Sequence, residues 1–367
     1  MGRPSDTREA ALAALVRRID AAIEDRSFPG AAVAFGGVGL PSVVVCRGRI
    51  GYGSDAPPVT STTLYDLASM TKPVSTAYLV LRAAAEGRVD LDEPIAAALP
   101  GFGRAGKDTI TWRHALLHAA ALAPTPSFDR LRGATGEEVL DLILGQSPRA
   151  APGTRAEYSC DGYVAMGLAL EAREGRPLDI LSREAMNSLG LPTARYLPLQ
   201  SGGGEIAPTE DVHAVYGRKA AGEVDNPIAR ALGGVAGNAG LFGSLEDMVA
   251  LARAWLGDPL APGAGRLPAS LVSAATRPAD PERTDTRALV WDTRSPTGYT
   301  VAGTTLGPTS FGHTGNTGTS IWMDPESRFY VVLMSNAVHP SRDARRGYLW
   351  LRPEVTDLAW HAWRAMA

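Results

Sequence analysis

The sequence predicts an α+β protein in which both chain ends build one sheet and a helical segment is inserted between them. Three observations carry this reading. Short β-rich runs bounded by glycine and proline occur near both ends. The middle of the chain, to roughly residue 280, reads as helices joined by long Gly/Pro-rich loops. A helical pattern stands at each terminus.

In order, Leu12, Leu15, Val16, Ile19 and Ile23 recur at helical spacing, and Phe28-Pro29-Gly30 ends that helix. Ala31 to Phe35 and Ser42 to Cys46 read as strands of one sheet. A helix is expected from Ser69 through Ala77, Leu79, Val80, Leu81 and Ala83 to about Glu86-Gly87. Pro73 would lie in its first turn, where a missing backbone donor costs little. Helices follow at Glu137 to Leu144, Gly162 to Arg173 and Leu245 to Leu256. Thr319 to Met323 and Phe329 to Met334 are β-rich, and Asp324-Pro325-Glu326-Ser327 between them is a turn signal. Pro353 to Met366 is the closing helix. The expected division is residues 1–85 with 283–367 as the sheet part and 86–282 as the helical part, with a site in the cleft between them.

The 367 residues are enough for one large domain or two ordinary ones. The hydrophobic fraction of 45% and charged fraction of 20% are those of a soluble globular protein. A net charge of −3 gives no electrostatic case for nucleic acid or an anionic membrane. No apolar run is long enough to span a bilayer, and the N-terminus has no apolar signal-peptide core, so a cytoplasmic location is expected. Cys46 and Cys160 form neither a disulfide framework nor a zinc ribbon. No metal site and no cofactor is implied.

Ser69-Met70-Thr71-Lys72 is the stretch that points to chemistry. A spacing of three residues on a helix stacks the serine hydroxyl and the lysine amine on one face. The chain has only three lysines, Lys72, Lys107 and Lys219, and otherwise uses arginine. Arginine stays protonated, whereas a desolvated lysine can lose its proton and act as a base. Taken alone, the pattern is also read as a capping serine and a solvated lysine.

Two further segments give the pair partners. Tyr158-Ser159-Cys160 lies in a turn leading into a helix, and His313-Thr314-Gly315 lies just before a strand. Together the three segments resemble the signature of the serine β-lactamase and penicillin-binding-protein superfamily. The resemblance is closest to the class C β-lactamase-like branch, which includes the family VIII carboxylesterases. It extends to Tyr65–Pro73, Gly233–Phe242 and Ile321–Glu326. It implies a β-lactamase/DD-peptidase-like fold, with an antiparallel sheet flanked by helices and an inserted helical domain.

The same resemblance implies roles. Ser69 attacks a carbonyl, and Lys72, held near neutral by desolvation, moves its proton together with Tyr158. The backbone N–H groups of Ser69 and Asn316 form the oxyanion hole. Cys160, His313, Thr314 and Gly315 bind substrate. Cys160 departs from the pattern, because the family usually has asparagine there and a thiol is a weak hydrogen-bonding group. That puts β-lactam hydrolysis in doubt more than acyl transfer. The segment Leu117-His118-Ala119-Ala120-Ala121-Leu122 replaces a family Thr-His-Thr-Ser-Gly-Leu stretch and reads as structural.

The expected function is a serine-dependent acyl-transfer enzyme, foremost an esterase-like hydrolase of small esters or amides. The alternatives are a transacylase passing the acyl group to an amine or alcohol, a β-lactamase or D-amino-acid peptidase, and a receptor that is acylated once without turnover. Cys160 as a nucleophile has no histidine placed by sequence to activate it, so burial is its expected fate. His114 and His118 lack the glutamate of a His-Glu-x-x-His zinc motif and read as core or surface helix residues. The glycine-rich stretch 233–240 lacks the ending of a phosphate loop and reads as a connecting loop. No Gly-x-Ser-x-Gly elbow is present.

Overall fold

The computed structural model describes residues 4–123, 131, 133–201, 204–211, 221–259, 261, 267–279, 287–344 and 348–366. The expected domain boundary at 282–283 and Lys219 lie outside the described residues.

Both ends of the chain contribute to one antiparallel sheet. Its strands are β1 (Gly30–Gly37) and β2 (Val43–Gly48) from the N-terminal part, and β5 (Asp292–Thr293), β6 (Phe311–Thr314), β7 (Ser320–Asp324) and β8 (Phe329–Ser335) from the C-terminal part. The spatial order is β2-β1-β8-β7-β6-β5. A separate two-residue pair joins β3 (Tyr65–Asp66) to β4 (Phe242–Gly243). The α+β expectation of a sheet built from both chain ends is borne out, and β1 pairs with β8 where the two ends meet.

β1 and β8 are buried along their whole length because both faces of the sheet are covered. Successive side chains on a strand point to opposite faces. Ala31, Val33, Phe35, Val331 and Leu333 pack under the terminal helices Pro4–Glu24 and Tyr348–Arg364, through Leu15, Ile19, Leu351, Val355 and Ala359. Ala32, Ala34, Val332 and Met334 belong to the core of the other face, with Met248, Leu251 and Ala252 of the helix Leu245–Trp255. Ser244 opens that helix: its hydroxyl accepts from the Asp247 N–H, and the Asp247 carboxylate accepts from the Ser244 N–H at 3.0 Å.

Two elements differ from the sequence reading. The helix expected from Ser69 is a 3₁₀ turn at Ala68–Met70, a π-helical stretch at Lys72–Ala77 and an α-helix only at Tyr78–Ala85. Pro73 has no N–H to give an α ladder, and the wider stretch is anchored sideways by Ser75 to Ser182 and Thr76 to the Gly237 carbonyl. The closing helix starts at Tyr348, so Pro353 lies inside it. The carbonyl of Leu349, which a residue at 353 would normally satisfy, accepts from the Tyr299 hydroxyl instead.

The loop 233–240 crosses the helix Asp161–Glu174 where two glycines face each other. A Cβ at Gly237 would overlap the Tyr163 carbonyl, and one at Gly167 would lie 3.1 Å from the Gly237 backbone. Gly237→Ala should therefore cost about 1–3 kcal/mol by overpacking. Urea unfolding followed by far-UV circular dichroism checks this, and an unchanged midpoint would contradict the contact.

Candidate active site

β3 delivers the chain to Ser69 through a tight turn. Ala68 has φ +47°, in the left-handed region that a residue with a Cβ rarely adopts. The turn is held by the Ala68 N–H donating to the Asp66 carboxylate at 2.8 Å and the Met70 N–H donating to the Leu67 carbonyl at 2.9 Å. Thr71 N–H closes the next turn onto Ala68, which leaves the Ser69 N–H outside the 3₁₀ ladder.

Lys72 is completely buried, and its Nζ donates to Ser69 Oγ at 3.2 Å and to the backbone carbonyl of Asn238 at 3.1 Å. It lies 4.9 Å from the centre of the Tyr158 ring and 5.8 Å from that of Tyr163. Among the described residues no carboxylate forms an ion pair with it. The Tyr158 hydroxyl and the Cys160 thiol come within its hydrogen-bonding reach. Burial pushes the lysine pKa down, but the charge and hydrogen bonding of Cys160 and Tyr158 push it up and prevail, so it is raised. This corrects the expectation of a lysine held near neutral by desolvation. The hydroxyl and the thiol beside the ammonium together outweigh its loss of water.

Tyr158 stands in the turn before the helix Asp161–Glu174 and is 39% exposed, so its ring covers the lysine while one side meets solvent. Cys160, 6% exposed, packs in an apolar cluster with Val139, Ile143, Val164 and Ile228, in keeping with the burial expected of a thiol.

The third segment comes from the sheet. Gly315, at the end of β6, lies so close to the backbone of Leu67 that a Cβ would stand 2.5 Å from the Leu67 carbonyl. Thr317 Oγ1 donates to the Asp66 carbonyl at 2.6 Å. These contacts dock the β6–β7 turn, which contains Asn316, onto the residues just before Ser69. His313 is buried, and its Nδ1 meets the Thr314 carbonyl at 2.8 Å. A carbonyl accepts, so Nδ1 carries the proton and Nε2 is the acceptor. Burial, with help from Arg287 and Lys72 and against the pull of Asp292, lowers the imidazole pKa to about 4. His313 is therefore neutral near neutral pH.

Sequence reasoning missed three neighbours. His118 is not a helix residue: it follows the short helix Trp112–Leu116 at φ +55°. Its ring lies 4.5 Å from that of Tyr158, its Nδ1 accepts from the Ser159 N–H at 3.2 Å, and its carbonyl accepts from the Glu157 N–H at 2.9 Å. It thus holds the chain on both sides of Tyr158. Asn238, in the loop read only as a connection, supplies the carbonyl to Lys72. Arg287, ion-paired with Asp292, lies 5.3 Å above the Tyr158 ring. An apolar cavity of about 580 Å³, bordered by Tyr78, Trp255, Val272 and Phe311, contains none of these side chains.

The buried imidazole makes a pH prediction. The folded state refuses a proton that an unfolded histidine accepts at its ordinary value of 6.5, so His313 favours folding above pH 6.5 and loses that contribution as pH falls to about 4. Asp161, raised by burial to about 6, acts in the opposite sense between 3.8 and 6. The comparison is therefore made against His313→Gln. The stability of the wild type relative to this variant should fall by about 3 kcal/mol between pH 7 and pH 4. Parallel pH profiles from denaturant titrations would contradict it.

Comparison with known proteins gives this geometry its relatives. The Beta-lactamase family model matches residues 14–353. A putative D-alanyl-D-alanine carboxypeptidase of Escherichia coli (strain K12) is 28% identical over 339 residues, covering 83% of this chain and 76% of that protein. The structure of EstCE1, a hydrolase with promiscuous acyltransferase activity, superposes with a TM-score of 0.74 at 20% identity, over 96% of this chain and 99% of that one. A class C β-lactamase from Rhodobacter sphaeroides superposes with a TM-score of 0.71 at 21% identity, over 95% of this chain and 99% of that one. The chain belongs to the Beta-lactamase family and is a serine hydrolase or acyltransferase of the β-lactamase-like superfamily.

Proposed function

We propose that the protein hydrolyses small esters through an acyl-enzyme on Ser69. The observation that carries this is the buried Lys72 ammonium, 3.2 Å from Ser69 Oγ and roofed by Tyr158. A serine hydroxyl must lose its proton to become a competent nucleophile. With Lys72 charged, the proton acceptor in this reading is the Tyr158 oxygen as the phenolate, formed when the half-exposed hydroxyl gives its own proton to solvent. Lys72 fixes Ser69 Oγ and favours the Tyr158 phenolate, whose charge passes to the substrate oxygen as the serine proton moves onto Tyr158. Ser69 Oγ bonds to the carbonyl carbon, Tyr158 returns the proton to the departing alkoxide, and water then attacks the acyl-enzyme to release the acid. The N–H groups of Ser69 and Asn316 receive the oxyanion. The cleft between the sheet part and the helical part is the substrate's place.

A neutral His313 and an Arg287 already paired with Asp292 offer little free positive charge to a substrate carboxylate. This favours uncharged esters over the carboxylate-bearing substrates of peptidases and β-lactamases, and Cys160 in place of the usual asparagine points the same way. His313, Thr314, Gly315 and Cys160 are read as the walls around the acyl group. A second reading is acyl transfer to an amine or alcohol, favoured by the fold shared with EstCE1 and its acyltransferase activity.

Ser69→Ala should abolish turnover of p-nitrophenyl acetate, and Tyr158→Phe should lower kcat by about 10²–10⁴-fold. Turnover surviving in Ser69→Ala would refute the nucleophile, and an unchanged kcat in Tyr158→Phe would refute the proton carrier. Mass spectrometry should find an acetyl adduct that decays. A stable stoichiometric adduct would mark a receptor instead.

Hydrolysis and transfer separate when an amine or alcohol is added to the acylated enzyme. Free acid should remain the main product, and an amide or ester formed faster than acid would establish the transacylase. A D-alanyl-D-alanine peptide in the same panel tests the activity named for the Escherichia coli relative, with cleavage slower than ester turnover expected.

A further inference from the structure

Arg352 is a buried cation that the proposed mechanism does not use. It sits in the closing helix Tyr348–Arg364 with 6% exposure. Among the described residues it has no carboxylate partner, which makes its burial costly. Its hydrogen bonds go to the β6–β7 turn. Nη2 donates to the Gly315 carbonyl at 2.5 Å and to the Thr319 carbonyl at 3.3 Å, and Nε donates to the Tyr348 hydroxyl at 3.0 Å. The Tyr348 hydroxyl in turn donates to the Gly318 carbonyl. The guanidinium also lies 4.6 Å from the Tyr348 ring centre, which fixes its plane.

The Gly315 carbonyl and the Asn316 N–H belong to one peptide unit. In a trans peptide the two point in opposite directions. The helix carrying Arg352 packs on the sheet face occupied by the terminal helices, whereas the core of the opposite face includes Leu67 and Met70, the neighbours of Ser69. A guanidinium that holds the carbonyl toward its own helix turns the N–H toward the other face.

We propose that Arg352 is a positioning residue for the oxyanion hole, orienting and polarising the Gly315–Asn316 peptide so that its N–H meets the developing oxyanion. This rests on the reading of Ser69 as nucleophile and Asn316 as donor. Its charge, with no carboxylate partner among the described residues, also stabilises the anion through that peptide. Each backbone carbonyl bonded by Arg352 has a second partner: Gly315 O accepts from Gly318 N–H at 3.2 Å, and Thr319 O accepts from Gly315 N–H at 2.8 Å. The turn is therefore closed without the guanidinium, and what the guanidinium adds is direction and charge.

The test is Arg352→Met, which keeps the volume and removes the charge. The readouts are p-nitrophenyl acetate kinetics, inhibition by phenylboronic acid, whose tetrahedral adduct on serine carries the oxyanion, and the thermal midpoint. The expected result is a fall of about 10-fold or more in kcat/KM, carried by kcat, below the roughly 10²–10³ that outright loss of a donor costs. Boronate affinity should weaken by a similar factor while the midpoint is unchanged or raised, since a buried uncompensated charge has gone. Kinetics and boronate affinity within twofold of wild type would overturn the proposal. So would a loss of kcat/KM that leaves boronate affinity intact. If Arg352→Met does not fold, Arg352→Lys decides by the same two readouts. It keeps the charge but not the forked geometry, and a smaller loss in both is expected. Failure of the nucleophile reading shows up separately, as wild-type turnover that survives Ser69→Ala.

Discussion

The arrangement turns on one buried ammonium. Lys72 has no solvent contact and no carboxylate partner among the described residues, yet it is surrounded by groups that accept from it or favour its charged form. An ammonium taken out of water costs several kcal/mol unless its hydrogens are satisfied and charge is returned to it. Here the serine hydroxyl, a backbone carbonyl from the loop 233–240, and the tyrosine and cysteine of the second segment do this together. Each comes from a different part of the chain, so keeping the ammonium satisfied forces those parts into register.

The sheet supplies the other half of the constraint. Because β1 and β8 are covered on both faces, the C-terminal hairpin is held rigidly, and its turn is pressed onto the backbone of Leu67 through a glycine that admits no side chain. The same turn is gripped from behind by Arg352 and Tyr348. The Ser69 turn is thus clamped by the sheet on one side and by helices on the other. The left-handed backbone at Ala68 persists because both neighbours hold it.

Much of this was legible in the residues. Apolar and β-rich runs located β1, β2, β7 and β8, and helical spacing located most helices, because these patterns report which residues are buried, whereas the short β3, β4, β5 and β6, the last containing His313 and Thr314, were not read. The scarcity of lysine was a true signal. Lys72 is buried at Ser69, and Lys107 is buried with its ammonium on the Leu144 and Gln146 carbonyls at a helix end. The π-helical stretch at Lys72–Ala77 was not legible, because it depends on side anchors at Ser182 and Gly237 that are distant in sequence. Pro353 inside a helix was unreadable for the same reason, since the orphaned carbonyl is met by Tyr299. His118 looked structural because its function as a support for Tyr158 exists only once two loops meet.

By itself, then, the sequence determined the α+β class and a sheet built from both chain ends, since each is set by local pattern, while the serine, lysine and tyrosine segments were singled out by their resemblance to a family signature. Tertiary structure decided the charge state. Whether a lysine beside a serine is base or cation depends on the balance between lost water and nearby acidic groups, and that balance is a property of three-dimensional neighbours. It also decided that His313 is neutral and that a guanidinium with no carboxylate partner among the described residues stands behind the Gly315–Asn316 peptide. No periodicity encodes these, because the groups that fix them lie tens to hundreds of residues apart along the chain.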